Sequence, residues 1–133
     1  MKRHPDLLKL SREHHGALRL ARDVRHAAKD GEPDAVAALA QCVVEAFAVE
    51  LDPHFRVEEL GLLVILAQAG HHALVERTLA DHAELRRLAN ALANPDTKTL
   101  GRFAELLGAH VRFEEREVFE AAQAELDIDP VSI

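Results

Sequence analysis

Residues 53–60 read Pro53-His54-Phe55-Arg56-Val57-Glu58-Glu59-Leu60, and residues 109–118 read Ala109-His110-Val111-Arg112-Phe113-Glu114-Glu115-Arg116-Glu117-Val118. In each stretch a histidine and a glutamate stand four residues apart, which on an α-helix places them one turn apart on a single face. Val43, Phe47, Leu51, Leu62 and Ile65 continue the face of the first pair, and Leu100, Phe103, Leu107 and Ala121 continue that of the second. Spacings of three and four mark an amphipathic helix whose apolar stripe is turned to a core. Each His/Glu pair therefore sits where the pattern calls for a buried side chain. Carboxylates are almost never buried without a partner, because desolvating the charge is costly.

Working outward, two further helices carry a histidine on the same kind of stripe. A helix over about 5–29, with Pro5 in its first turn, aligns Leu7, Ser11, His14, Leu18, Ala21 and Ala28. Its neighbouring His15 aligns instead with Arg12, Arg19, Arg22 and His26 and faces outward. A helix over about 71–93 aligns Val75, Thr78, His82, Leu85, Ala89 and Leu92. The breaks are Asp30-Gly31-Glu32-Pro33, Gly70 and Asn94-Pro95, all helix-stopping combinations. The second helix thus covers about 33–69, with Pro53 expected to kink it or to split it with Asp52 as a new N-cap. The fourth covers about 96–125 with Asp96 as its cap, and residues 126–133 read as an irregular tail. The expected fold is all-α, an up-down-up-down four-helix bundle, in one domain over residues 1–133.

Composition agrees and narrows the function. The chain has 133 residues, few glycines and prolines, and neither Trp nor Tyr, which suits helices. A net charge of −7 and the lack of a basic stripe argue against nucleic acid as a partner. The apolar run Leu60–Ala69 is too short to span a bilayer, so no membrane partner is expected. The start lacks the apolar stretch of a signal peptide, and the expected location is the cytoplasm. Cys42 is the only cysteine, which rules out an internal disulfide, and it reads as a buried, inert thiol.

His14, His54, Glu58, His82, His110 and Glu114 are then a set whose burial needs a chemical reason. Imidazole nitrogen suits iron, zinc, copper or nickel, and a carboxylate can bridge two cations. Two divalent ions bring four positive charges, which Glu58, Glu114 and a bridging hydroxide reduce to about one, so that the group can be buried. Without metal, both glutamates must be protonated or paired, and Arg56, Arg86 and Arg112 reach them only by turning inward. Glu59 and Glu115, about 100° round their helices from the inward glutamates, read as solvated surface. His4, His15, His26, His71 and His72 read as surface or loop histidines. Whether the six residues share one height in the bundle is set by loop geometry and by the turn at Pro53, which spacing alone does not give.

The segments Leu10-Ser11-Arg12-Glu13-His14-His15-Gly16, Pro53-His54-Phe55-Arg56-Val57-Glu58, Asp81-His82-Ala83-Glu84 and His110-Val111-Arg112-Phe113-Glu114 together resemble the hemerythrin-like, His-His-Glu cation-binding family, over roughly residues 4–120. The resemblance implies a four-helix bundle around two non-haem iron ions with a bridging oxo or hydroxo group, zinc being the alternative occupant. It implies that His14 and His54 hold one iron, that His82 and His110 hold the other, and that Glu58 and Glu114 bridge. The implied partner is a small diatomic ligand, dioxygen or nitric oxide, or else peroxide. The chain departs from invertebrate hemerythrins in carrying Thr78 where they have a further histidine on the third helix, and in pairing His110 with Glu114 at a tighter spacing than their aspartate. A position open at the metal favours oxidation of the centre and peroxide chemistry over reversible oxygen carriage. Three functions follow as expectations: an oxygen-binding or oxygen-sensing module first, a di-iron oxidase or peroxidase-like enzyme second, and iron storage or iron-responsive regulation through a protein partner third.

Overall fold

The computed structural model describes residues 3–126, and every regular element among them is helical. Helix α1 spans Pro5–Asp30 and α3 spans His72–Ala91. Helix α2 covers residues 33–68, and α4 covers residues 97–126. Each helix packs on its neighbours in the chain, and α1 closes the ring by lying along α4. The expected all-α four-helix bundle forms, with the irregular tail lying, apart from residue 126, outside the described residues. Among those residues no helix is long and apolar enough to cross a membrane.

Local chemistry sets the ends. Pro5 and Pro33 occupy first turns, where their missing N–H would have had no helical partner. The Glu32 carboxylate accepts from the amides of Asp34 and Ala35, and Asp96 accepts from that of Thr99 at 3.0 Å. Gly31 and Gly70 follow α1 and α2 at φ 71° and 91°, a backbone region that side-chain-bearing residues avoid.

Three expectations need correction. Pro53 neither splits α2 nor makes Asp52 a cap. Asp52 is itself helical, and the preceding segment Phe47–Leu51 widens into a π-turn in which the Asp52 amide donates to the Phe47 carbonyl. The wider turn accommodates the ring that would otherwise clash with the carbonyl four residues back. Leu18 is partly exposed because the buried stripe of α1 runs Leu7, Leu10, His14, Ala17, Ala21, Val24, turning past it. Cys42 is exposed rather than buried.

The core is divided into two apolar clusters. One, built on Val24, Val43, Leu85, Leu92, Leu100, Phe103 and Leu107, fills one end of the bundle. The other, built on Leu7, Leu63, Leu66, Phe113, Val118 and Phe119, fills the opposite end. Belonging to neither is a set of buried polar side chains: His14, His54, Glu58, Thr78, His82, His110, Glu114 and Gln123.

Candidate metal centre

All four helices send a histidine into the middle of the bundle, and the heights agree. Donor atoms of His14, His54, Glu58 and Glu114 lie within 4.8 Å of one another, and so do those of Glu58, His82, His110 and Glu114. The two sets share both glutamates, so the six residues form one continuous cluster. Within it His54 Nε2 lies 3.2 Å from Glu58 Oε2, His82 Nε2 lies 3.1 Å from Glu58 Oε1, and His14 Nε2 lies 3.0 Å from Glu114 Oε1. His82, Glu58 and Glu114 are 0 % exposed.

Glu58 and Glu114 each open a π-turn, Glu58–Leu62 and Glu114–Val118, in which the amide of Leu63 or Phe119 donates five residues back to the glutamate's own carbonyl. Such turns commonly mark functional positions in helices. Here the extra residue shifts the face of the helix beyond the glutamate relative to the face before it.

The interior of the cluster is short of hydrogen bonds. His54 Nε2, His82 Nε2, His110 Nε2, Glu114 Oε2 and both carboxylate oxygens of Glu58 are buried with no hydrogen-bond partner despite their short separations. Buried polar atoms are nearly always satisfied, and leaving one unmade costs about 1–3 kcal/mol. Six such atoms aimed at one another suit a metal ion, since a cation satisfies nitrogen and oxygen lone pairs together. The alternative in which arginines neutralise the glutamates does not occur among the described residues. Arg86 pairs with Asp52 and Glu59, Arg56 pairs with Asp52, and the Arg112 guanidinium lies against Gly108. Thr78 offers no ligand in this arrangement, for its hydroxyl donates to the Leu74 carbonyl at 2.8 Å.

The outward side of each histidine shows what the sequence reading missed. Nδ1 of His14 donates to Glu115 at 2.7 Å, that of His54 to Glu13 at 3.0 Å, that of His82 to Glu59 at 2.7 Å and that of His110 to Asp81 at 2.9 Å. Each carboxylate comes from the helix before that of its histidine, with α4 supplying the one for α1, so the bonds run once around the bundle. Glu59 and Glu115 are thus not simply solvated surface. They lie about 100° round the helix from the inward glutamates, and that angle aims them at the edge of the next helix, where its histidine lies. The signal was present in the sequence as an acidic residue beside four of the six inward ones: Glu13-His14, Glu58-Glu59, Asp81-His82 and Glu114-Glu115. Two of the four are backed by guanidinium. Arg86 donates to Glu59 at 2.9 and 3.1 Å, and Arg3 to Glu115 at 3.2 Å. A carboxylate on Nδ1 fixes the tautomer that leaves Nε2 free as a metal donor and makes the ring a stronger ligand.

Electrostatics divides the metal-free cluster unevenly. Burial, and then the neighbouring Glu114 charge, hold the Glu58 carboxyl well above its usual range. Burial would raise Glu114 too, but the bonds from His110 and His14 outweigh it and hold Glu114 ionised. Burial lowers His82 to about 4. His110 resists burial through Asp81 and Glu114 and is raised to about 9. At neutral pH the cluster therefore holds a proton on His110 that a cation must displace. Metal uptake at pH 7 is expected to release protons, with apparent affinity rising with pH toward about 9. A raised folded-state pKa also means that the stabilisation from protonated His110 is present below the ordinary value of 6.5 and lost as pH climbs through about 9. Metal titration in a weak buffer with a pH indicator checks this, and uptake without proton release would contradict it.

A cavity of about 340 Å³ leads from solvent to the cluster between α1 and α2. Its inner end touches His14, His54, His110 and Glu114, its walls include Ala17, Leu20, Leu51, Leu107 and Val111, and Arg12, Glu13, Gly16, Val49 and Glu50 also line it. The approach thus comes from the side of His14 and His54, whereas Thr78 and His82 are absent from the lining.

His4 caps α1 and His71 pairs with Glu125 at 3.2 Å, while His15, His26 and His72 are exposed, so none of these five joins the cluster. A family model described as the hemerythrin HHE cation binding domain matches residues 7–122. No curated protein and no solved structure matches the chain.

Proposed function

The chain belongs to the hemerythrin HHE cation-binding family, and from that premise we propose that it holds two iron ions and uses them to bind or sense dioxygen, nitric oxide or the redox state of its surroundings. His14 and His54 would hold one ion, His82 and His110 the other, and Glu58 and Glu114 would bridge. The observation that carries this reading is that the six residues form two donor groups sharing both glutamates, and that six buried atoms of His54, Glu58, His82, His110 and Glu114 among them lack hydrogen-bond partners. Iron in such a site supplies an open coordination position and a change of oxidation state.

The protein's own contribution is to orient and to shield. The four outer carboxylates hold each imidazole in one tautomer. Phe55 stacks on His82 with ring centroids 4.0 Å apart, and Phe119 stacks on His14 at 5.0 Å, so apolar faces cover the two rings. The cavity supplies one route for a small ligand and brings it to the His14/His54 side. A binding or sensing role is favoured over an oxidase or peroxidase-like enzyme because no Tyr or Trp is present to relay electrons, and the only cysteine, Cys42, is exposed. Iron storage or iron-responsive regulation through a protein partner is the third reading.

The test is metal content per chain after anaerobic purification or reconstitution with ferrous iron, followed by the visible spectrum on admitting air. Two irons per chain and a new band that disappears when oxygen is removed are expected. Irreversible conversion would transfer the assignment to redox chemistry. Absence of any bound transition metal would mean that the six residues are a polar core network.

A further inference from the structure

The cavity above the cluster is far larger than a diatomic ligand needs. At about 30 Å³ for each water-sized volume, its roughly 340 Å³ holds on the order of ten of them, and it lies at the lower end of the range that encloses small organic ligands. Its walls are mainly apolar: Ala17, Leu51, Leu107 and Val111 are buried and contribute carbon surface. Its inner end is polar, because His54, His110 and Glu114, each at least nine-tenths buried, turn unpartnered atoms toward the cluster it reaches. An apolar barrel with a few convergent polar groups at one end is the usual construction of a small-molecule site.

Gly16 supplies an independent observation. It stands in the interior of the 26-residue α1, where glycine destabilises a helix relative to alanine. Packing does not require it, since a Cβ built there would meet no atom within 4 Å, and its φ is not positive. It does line the cavity, as does Val49, which is 74 % exposed on α2. What glycine provides at this place is open space.

We infer that the cavity binds a small, uncharged, largely apolar organic molecule of about one or two rings, with its polar end at the His54/His110/Glu114 floor, and that Gly16 sets the size admitted. Binding by the walls does not depend on which metal is present, and the inference rests on the metal reading only for what the molecule's polar end meets.

Indole is a suitable probe because the chain has neither Trp nor Tyr, so its fluorescence is read without protein background. Indole titrations of the full chain, metal-free and zinc-loaded, with metal content measured on the same samples, separate the two readings. Saturable binding is expected in the parent and in Gly16→Ala. Gly16→Leu on α1 and Val49→Phe on α2 should each weaken it roughly tenfold or more, the scale on which filling or emptying a pocket by a few carbons is felt. If Gly16→Leu fails to fold, Val49→Phe decides. No saturable binding in the parent, or binding unchanged in the folded occluding variants, overturns the inference whether or not metal is held. Indole binding without metal uptake would leave the inference standing and overturn the di-iron reading alone.

Discussion

Replacing Glu114 by alanine is expected to empty both metal positions, because its carboxylate belongs to both donor groups. Glu58→Ala should do the same for the same reason. A histidine variant, by contrast, removes a ligand from only one group, so His54→Ala should leave the His82/His110 position partly filled. Loss of metal carries loss of stability, since a cation that binds only the folded chain stabilises it by about 4 kcal/mol at a thousandfold excess over Kd. The sign reverses in the metal-free chain. Both oxygens of Glu58 are buried without a hydrogen bond, and Glu58→Met, of similar volume, removes that burden and should stabilise the metal-free fold by about 1–3 kcal/mol. Thermal melts of parent and variant with ferrous iron and with chelator check both signs. His15→Ala, exposed and outside the cluster, should alter neither. Equal metal content in Glu114→Ala and the parent would sink the bridging assignment.

These opposite signs show why the sequence was informative about the site. A glutamate on an apolar stripe conflicts with burial, and six such residues distributed over four helices make a pattern that hydrophobic periodicity exposes directly. The helices were legible for related reasons: Gly31, Gly70, Asn94-Pro95 and the N-terminal prolines are strong local punctuation. What could not be read depended on geometry beyond one helix. The π-turns at Glu58 and Glu114 leave no spacing signature, because their cost is set against packing and site geometry rather than local propensity. The same holds at Pro53, where periodicity gives the clash but not the widened turn that relieves it. Glu59 and Glu115 were misread because helical phase alone cannot distinguish water from the edge of the adjacent helix. Their partners, His82 and His14, lie on other helices, at a register fixed only by assembly. Cys42 was misread as buried on the general tendency of the residue, which its place on the outer face of α2 overrides.

The outer carboxylates give the second large effect. Metal-ligating histidines whose Nδ1 partner is removed typically lose about 10–100-fold in metal affinity, and Glu59 is where the upper end is expected. Its oxygens accept from both His82 Nδ1 and the Arg86 guanidinium, so Glu59→Ala frees the imidazole to change tautomer and leaves Arg86 one carboxylate fewer beside it. A negative charge beside His82 is then lost. In the parent, burial would raise the Glu59 carboxyl, but the bonds from Arg86 and His82 hold it below the usual range, and its charge opposes that of Arg86. In the alanine variant Arg86 keeps Asp52, a carboxylate it shares with Arg56, so the charge beside the His82/His110 position becomes more positive and disfavours a cation there. Glu59→Gln, which retains an acceptor for Nδ1, should lose about tenfold. Glu59→Ala/Arg86→Ala, which removes both charges, should recover part of the loss seen in Glu59→Ala. Metal affinities from competition with a chromophoric chelator, taken across parent, Glu59→Gln, Glu59→Ala and the double variant, measure each step. If Glu59→Ala bound metal as tightly as the parent, the ring of carboxylates would be serving the surface of the bundle and not its centre. If the double variant were weaker than Glu59→Ala, Arg86 would be acting through Asp52 and Phe55 on the packing around His82, since its guanidinium lies 5.8 Å from the Phe55 ring that stacks on that histidine.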